Sequence, residues 1–289
     1  MHDVAASAAV PADNWPSALQ GVLGQPQRIG VEYQPIVDLR HATICGYEAL
    51  ARFRDAPDVS PREWFVAAAR LGCAGALEAQ VVQAALVAHP LLVRDRFIAV
   101  NVSPAALVAG EVQQVLEAEG RLLRHLVVEI ADGEDGTPLA ALRAAAKSLR
   151  ARGAAVAVHG LGYHVALNAR YVKLPAAALA GGALDVQLEA AVVAEQIETP
   201  AQLDALVDLG VAYGQGYALG CPTPALTELR GDVRAQIERR SRADDGTTLA
   251  TLLDEPPVPA PADERPLCSL GAASILERLL DAGPSLLLA

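Results

Sequence analysis

Seven short apolar runs of this chain each end on a single polar residue that could bind a ligand or take part in catalysis. These residues are Glu48, Asn101, Glu129, His159, Lys173, Glu195 and Gln215. Four of the seven could ligate a hard cation such as Mg²⁺ through oxygen. The run that ends at His159 is followed by Gly160, where a further oxygen ligand is expected. The set therefore predicts a cation site with one irregular position.

Such a site requires the ends of many strands to meet, and the hydrophobic pattern predicts this. Strands are predicted at residues 31–37, 43–53, 97–101, 126–130, 154–158, 171–174, 191–194 and 211–215. Helical segments lie between most of them: one starts at Ser60, and others cover residues 77–88, 104–119, 138–152 and 200–209. Alternating strands and helices predict a parallel sheet, and about eight strands favour its closure into a TIM-like α/β barrel. Polar residues at the carboxyl ends of the strands would then line the barrel mouth.

The connections after the fifth strand are short. Twelve residues separate Val158 from Tyr171, and sixteen separate Leu174 from Ala191. A βαβ crossover needs at least ~10–12 residues, so at least one outer helix is predicted to be stunted or missing.

The chain is divided into four parts by composition. Residues 1–28 form a leader whose short helix, capped by Asn14, is predicted to pack on the domain as a lid or plug. Residues 29–242 form the barrel domain. A C-terminal extension follows, made of an Asp- and Pro-rich linker at 243–266 and a short apolar tail at 267–289.

Composition also excludes several classes of function. The net charge of −11 argues against general nucleic-acid binding, which needs a basic surface. No apolar run approaches the ~20 residues that span a bilayer, and the first fifteen residues lack the basic-then-apolar pattern of a secretory signal. The four cysteines form no C-x-x-C pair. A cytoplasmic protein with reduced thiols is therefore predicted.

Seven short motifs surround the polar residues. They are Gln34-Pro35-Ile36, Gly46-Tyr47-Glu48-Ala49-Leu50 with Arg52, Val100-Asn101-Val102-Ser103, Val128-Glu129-Ile130-Ala131-Asp132, Val172-Lys173-Leu174, Ala194-Glu195-Gln196-Ile197-Glu198-Thr199, and Leu209-Gly210 before Gln215-Gly216-Tyr217. In this order, over residues 29–225, they resemble the EAL domain family, whose members hydrolyse the bacterial second messenger cyclic di-GMP. The resemblance implies a barrel of the EAL type.

The resemblance also implies a role for each motif residue. Glu48, Asn101 and Glu129 would hold one metal ion, and Lys173 and Glu195 would be catalytic, with Glu198 in the loop beside the second metal. Two divalent ions ~4 Å apart would activate water and clamp the phosphate. The ligand-binding residues would be Gln34, Glu48, Leu50, Arg52 and Gln215, with Arg52 on a phosphate.

Several positions depart from the family pattern. The family has two adjacent aspartates followed by Phe-Gly where this chain has His159-Gly160-Leu161-Gly162, and it has an aspartate where this chain has Pro175. Asp132 replaces a glutamate, and the segment between Lys173 and Glu195 is about half the usual length. These departures predict a catalytically impaired member with vestigial metal ligands and no cofactor. Mg²⁺ or Mn²⁺ would be required only for residual activity.

Other interpretations of single residues stay open. Glu48, Asn101 and Glu129 could anchor the barrel mouth by hydrogen bonds alone. His159 is either a replacement ligand for Mn²⁺ or Zn²⁺ or a hydrogen-bonded filler, and Lys173 could simply pair with Glu129 or Glu195. Arg52 could contact a nucleotide or close an ordinary salt bridge.

Three functions follow. The first is a regulatory protein in cyclic di-GMP signalling that acts through protein partners, with a homodimer as one form. The second is a cyclic di-GMP receptor that needs no metal. The alternative is a residual metal-dependent cyclic di-GMP phosphodiesterase.

Overall fold

The computed structural model describes residues 14–93, 95–119, 123–131, 136–180 and 189–252. Residues 1–247 belong to one compact unit and residues 248–289 to another. The predicted apolar tail and most of the predicted linker lie outside the described residues, as does the start of the leader. The last helix of the described chain, α10, spans Gly231–Leu252, so the first ten residues of the predicted linker are helical instead.

Eight strands close into a barrel in chain order. They are β1 Ile29–Asp38, β2 Thr43–Phe53, β3 Phe97–Val102, β4 Leu126–Ile130, β5 Ala155–His159, β6 Tyr171–Pro175, β7 Ala191–Glu195 and β8 Tyr213–Gly214. Strand β1 runs antiparallel to its neighbours β2 and β8, and the other neighbouring pairs are parallel. The predicted barrel is therefore confirmed, but the predicted parallel sheet is wrong for β1, which a short turn joins to β2 as a hairpin.

The helices lie mostly between the strands. They are α1 Trp15–Gly24, α2 Pro61–Arg70, α3 Ala74–Leu86, α4 Pro104–Val108, α5 Gly110–Ala118, α6 Leu139–Ala151, α7 His164–Leu167, α8 Ala176–Ala180 and α9 Pro200–Asp208, followed by α10. Ser60 and Glu63 form a reciprocal capping box that starts α2, and Thr199 and Gln202 do the same for α9.

Two helix predictions are wrong in detail. The single helix predicted over residues 104–119 is two helices, because Ala109 takes an extended conformation with ψ 153° and starts a new helix at Gly110. Asn14 precedes α1 but makes no capping hydrogen bond with its side chain, since its own backbone is already helical.

The predicted eighth strand is also shorter than expected and keeps only Tyr213 and Gly214.

The short crossovers after β5 are confirmed. Helix α7 has four residues, and α8 has five. Asn168 ends α7 in the left-handed conformation, with φ 49°, which stops the helix within about one turn. Among the described residues, which omit 181–188, this side of the barrel carries much less helix than the side of α3, which has thirteen residues.

The barrel interior and the outer layer form separate parts of the core. Inside the barrel, Ile36, Ala99, Val127, Ala157 and Val193 pack together, and the aromatic rings of residues 97, 171 and 213 lie near the starts of their strands. A larger cluster joins the sheet to its covering helices. Because apolar side chains fill the interior, the polar groups are displaced toward the strand ends.

Helix α1 packs through its apolar face on the outside of the domain. Leu19 and Val22 are buried in a cluster with Phe53, Trp64 and Leu77. The Trp64 ring stacks on Phe53 with centroids 4.5 Å apart. In the part of the chain that the structure describes, no helix has both the length and the hydropathy needed to cross a bilayer.

Candidate functional site

Lys173 lies at the centre of the barrel mouth and contacts three carboxylates. Its Nζ lies 2.9 Å from Glu48 Oε2, 2.7 Å from Glu129 Oε2 and 3.0 Å from Glu195 Oε1. Lys173 and Glu129 are each only 1% exposed. An ammonium group has three N–H donors, so all of the donors of Lys173 have an acceptor within reach. The sequence predicted one carboxylate partner for this lysine, and the barrel supplies three.

Amide side chains complete the shell around Glu48. Asn101 Nδ2 donates to Glu48 Oε1 at 2.6 Å, and Gln215 Nε2 donates to Glu48 Oε2 at 2.6 Å. Gln34 lies opposite Glu48 in the β1–β2 register, which places both side chains at one level of the barrel. Each oxygen of Glu48 therefore already accepts at least one hydrogen bond within the protein.

The two buried glutamines form an ordered chain. Gln34 Nε2 donates to the carbonyl oxygen of Gly220 at 3.1 Å, which directs Gln34 Oε1 toward Gln215. Gln215 Nε2 donates to that oxygen at 3.0 Å as well as to Glu48. The remaining oxygen, Gln215 Oε1, is buried and has no hydrogen-bond partner among the described residues. A buried acceptor without a donor is costly, so this atom is suited to receive an N–H or O–H of a ligand.

His159 faces two of the same carboxylates from the end of β5. Its Nδ1 lies 3.3 Å from Glu195 Oε2, and its Nε2 lies 3.6 Å from Glu129 Oε2. The register pairs His159 with Lys173 on the neighbouring strand, so the two cationic side chains stand side by side. Gly160, which follows, has φ 69° and contributes no side chain to the mouth.

The charges of this cluster balance almost completely. Burial lowers the pKa of His159, but its contacts with Glu129 and Glu195 outweigh burial and raise that pKa to about 10. Burial raises the pKa of Glu195, but the charges of Lys173 and His159 lower it overall, to about 2. The pKa of Lys173 is raised well above its usual value, because three carboxylates outweigh the effect of burial. Two cations thus face three carboxylates, which leaves a net charge of −1.

The charged His159 makes stability depend on alkaline pH. The protonated His159 stabilises the folded state fully below its ordinary pKa of 6.5. This stabilisation is lost as pH rises through about 10, because His159 of the unfolded chain loses its proton at lower pH than His159 of the folded chain. We expect the free energy of unfolding to fall by on the order of 2 kcal/mol over this interval, a value reduced for solvent screening. Urea titrations of wild type and His159→Gln at several pH values measure this. Parallel pH profiles for the two proteins would contradict the assignment.

These residues do not fit a two-metal centre. The oxygens of Glu48 accept from Asn101, Gln215 and Lys173, and Glu129 Oε2 is bonded to Lys173. His159 directs both ring nitrogens at carboxylates, and Gly160 offers no ligand. Within the described ranges, no group of three or more His, Cys, Asp or Glu side chains is arranged to hold a metal ion. His159 therefore places a cation against Glu129 and Glu195 where a two-metal centre needs a carboxylate.

Two cavities open at the mouth and divide the predicted ligand-binding residues between them. The smaller, about 230 Å³, is lined by Gln34, Glu48, Glu195, Gln215 and the exposed Tyr217, among others. The larger, about 580 Å³, is lined by Leu50, Arg52, Asn101 and residues of α2 and α3. No residue of α1 lines either cavity, so the leader helix does not cover the mouth as predicted.

Gly216 lines the smaller cavity and allows two backbone segments to approach closely. Its φ is 151°, and a Cβ atom there would lie 2.3 Å from the backbone nitrogen and oxygen of Ile197. The two segments are joined by hydrogen bonds from Ile197 N to Gln215 O and from Ala218 N to Ile197 O. A glycine is therefore required for the segment after β8, which carries Gln215, to approach the loop after β7.

Two charged residues of the site were missed in the sequence. Glu78 of α3 is 8% exposed and accepts from the backbone nitrogen and hydroxyl of Ser103 at 2.7 and 2.8 Å, which fixes the turn after Asn101. A carboxylate on the apolar face of a helix, between Leu77 and Val81, could have revealed it. Glu32 binds Arg52 across the β1–β2 hairpin, so the predicted salt bridge of Arg52 is present.

A sequence profile of the EAL domain matches residues 17–180, which is more than half of the chain. The chain belongs to the EAL domain family. No match was found among curated protein sequences.

Solved structures of EAL domains share this fold. The YkuI protein of Bacillus subtilis, in complex with cyclic di-GMP and calcium, is 21% identical with a TM-score of 0.65, and the match covers 81% of this chain and 65% of that one. The FimX EAL domain of Pseudomonas aeruginosa, bound to cyclic di-GMP, is 20% identical with a TM-score of 0.63 over 73% of this chain and 97% of that one. An EAL domain protein of Listeria monocytogenes is 20% identical with a TM-score of 0.61, covering 72% and 94%. At these identities the likeness establishes the barrel fold of the EAL domain.

Proposed function

We propose that this EAL domain does not hydrolyse cyclic di-GMP and that it regulates cyclic di-GMP signalling in the cytoplasm through protein partners. The observation that carries the proposal is the end of β5, where His159 directs its ring nitrogens at Glu129 and Glu195 and Gly160 offers no side chain. Hydrolysis with two metal ions needs carboxylate oxygens at these two positions as ligands. A charged imidazole beside Glu129 and Glu195 repels a divalent ion and supplies none of those oxygens.

Receptor binding of cyclic di-GMP is a second candidate function, favoured by the two cavities. Arg52 lines the larger cavity, and a guanidinium group suits a phosphate oxygen. Gln215 Oε1, the buried acceptor without a partner, belongs to a residue that lines the smaller one. Arginine and amide contacts require no metal ion, so a ligand could bind although the metal ligands are occupied. The EAL domains of YkuI and FimX hold cyclic di-GMP in their solved structures, which supports this candidate.

One experiment separates the functions. The purified full-length protein is titrated with cyclic di-GMP by calorimetry, with and without Mn²⁺, and the same samples are assayed by chromatography for the linear dinucleotide. We expect no turnover with either Mg²⁺ or Mn²⁺, and any dissociation constant should be the same with and without metal. Turnover that is lost in Glu48→Ala would establish the residual phosphodiesterase instead. Turnover that survives Glu48→Ala would come from a contaminating enzyme.

Binding without turnover would establish the receptor. Absence of both, up to high micromolar ligand, would leave regulation through partners as the function of the domain. Arg52→Ala tests the location of the site, because a variant that binds with full affinity would place the ligand elsewhere.

A further inference from the structure

Arg52 is bound to a carboxylate of the neighbouring strand. Its Nε donates to Glu32 Oε2 at 2.8 Å, and its Nη2 lies 2.8 Å from the same oxygen. Nη1 donates to the carbonyl oxygen of Ala51 at 2.9 Å. The side chains of Arg52 and Glu32 are 40% and 29% exposed, so the pair lies at the surface of the barrel mouth where a ligand could reach it.

The hairpin register creates this pair. Strand β1 places Gly30 opposite Arg52 and Glu32 opposite Leu50, so Glu32 and Arg52 are diagonal neighbours on one face of the sheet. Diagonal neighbours in an antiparallel pair are within reach of long side chains. Leu50 and Arg52 line the larger cavity, whereas Glu32 does not. The carboxylate therefore approaches the arginine from outside the space that a ligand would occupy.

The charges around the larger cavity cancel because of Glu32. The charged side chains that line the cavity are Arg52, Arg62 and Glu78, and Glu78 is bonded to Ser103. With Glu32 included, two arginines face two glutamates, and the net formal charge is zero. The cavity as a whole therefore does not attract an anionic ligand, although the guanidinium group of Arg52 lines it. Removing the charge of Glu32 would leave a net charge of +1.

We propose that Glu32 is a specificity-determining residue that competes with phosphate groups for Arg52 and so lowers the affinity of the larger cavity for anions. This inference rests on the receptor function proposed above. A phosphate that reaches Arg52 must displace Glu32 or share the guanidinium group with it, and sharing places two anions close together. Only a ligand with enough further contacts in the mouth would then bind, which selects a dinucleotide over free phosphate.

Glu32→Gln tests the proposal, because glutamine keeps the shape and removes the charge. The full-length protein is titrated with cyclic di-GMP at low ionic strength. We expect the dissociation constant of Glu32→Gln to be about fivefold lower than that of wild type, as a partly exposed ion pair is worth up to about 1 kcal/mol. In the Glu32→Gln/Arg52→Ala double variant the gain should vanish relative to Arg52→Ala alone. An unchanged or weaker affinity in Glu32→Gln would overturn the proposal and assign Glu32 a positioning role.

The chain offers a matched control. Arg28 Nη1 lies 2.7 Å from Asp55 Oδ2 in a second arginine–carboxylate pair of similar exposure, and neither residue lines the cavity. Asp55→Asn should therefore leave the dissociation constant at the wild-type value. A gain as large as that of Glu32→Gln would show that overall charge, rather than competition for Arg52, controls binding.

Inorganic pyrophosphate serves as a second probe that does not depend on nucleotide recognition. If no variant binds cyclic di-GMP, the receptor function fails, and pyrophosphate then decides the inference by itself. Tighter pyrophosphate binding by Glu32→Gln than by wild type would support it. Equal binding, or no binding by either protein, would overturn it.

Discussion

Replacing Lys173 with methionine is expected to destabilise the domain by about 3–5 kcal/mol, the loss typical of removing one partner from a buried ion pair. Methionine has nearly the volume of lysine but leaves Glu48, Glu129 and Glu195 without the cation that they share. Glu129 is 1% exposed, so water cannot take over this role without opening the mouth. Urea unfolding followed by far-UV circular dichroism measures the change.

The chain holds one other lysine, which provides the control. Lys147 is exposed on α6, and Lys147→Met should change the free energy of unfolding by less than about 0.5 kcal/mol. Equal stabilities of the two methionine variants would refute the central role of Lys173. A double-mutant cycle of Lys173→Met with Glu195→Gln should give a coupling free energy of at least about 1 kcal/mol, because Glu195→Gln removes one of the uncompensated charges.

Much of the site could be predicted because the apolar strands end on polar residues at their carboxyl ends, which lie on the same side of a parallel barrel. All seven predicted strand-end residues do lie at the barrel mouth, and contacts through Glu48, Lys173 and His159 join them in one cluster. The distances between these residues could not be predicted from the sequence. Glu48 on β2 and Glu195 on β7 both reach Lys173 only because the two strands belong to one closed sheet. The sequence therefore indicated which groups form the site but not that Lys173 joins three of them.

Local chemistry explains the predictions that failed. The break at Ala109 falls directly before Gly110, and glycine is a poor helix former inside the segment that was predicted as one helix. Asn14 is a favoured capping residue, yet its conformation prevents its side chain from acting as a cap. Glu32 was overlooked because its partner depends on how β1 and β2 are aligned. The sequence predicted a strand from Val31 but not which residue of β2 lies beside each residue of that strand. The observed register places Glu32 directly beside the predicted phosphate ligand Arg52.

Replacing His159 with aspartate is expected to convert the cluster from a self-neutralised site to one that needs a divalent ion. The substitution exchanges one cation for a carboxylate, so one lysine would face four carboxylates and the net charge would change from −1 to −3. Without metal we expect a loss of stability on the order of 3 kcal/mol, because buried like charges repel one another. Mn²⁺ should recover about 2.7 kcal/mol at a hundredfold excess over its dissociation constant. Thermal unfolding over a range of Mn²⁺ concentrations measures both effects, and wild type should show no comparable shift.

The neutral variant His159→Gln separates loss of the histidine from gain of a ligand. It should be destabilised but should not respond to Mn²⁺, and Glu129→Gln in the His159→Asp background should abolish the response. A wild-type response as large as that of His159→Asp would mean that His159 is itself a metal ligand. Gly160 is left unchanged because φ 69° would strain a new side chain and obscure the comparison. If His159→Asp gains metal-dependent stability but no hydrolysis, the carboxylates missing at Gly160 and Pro175 remain as barriers to catalysis, since one ion alone cannot clamp both sides of the phosphate.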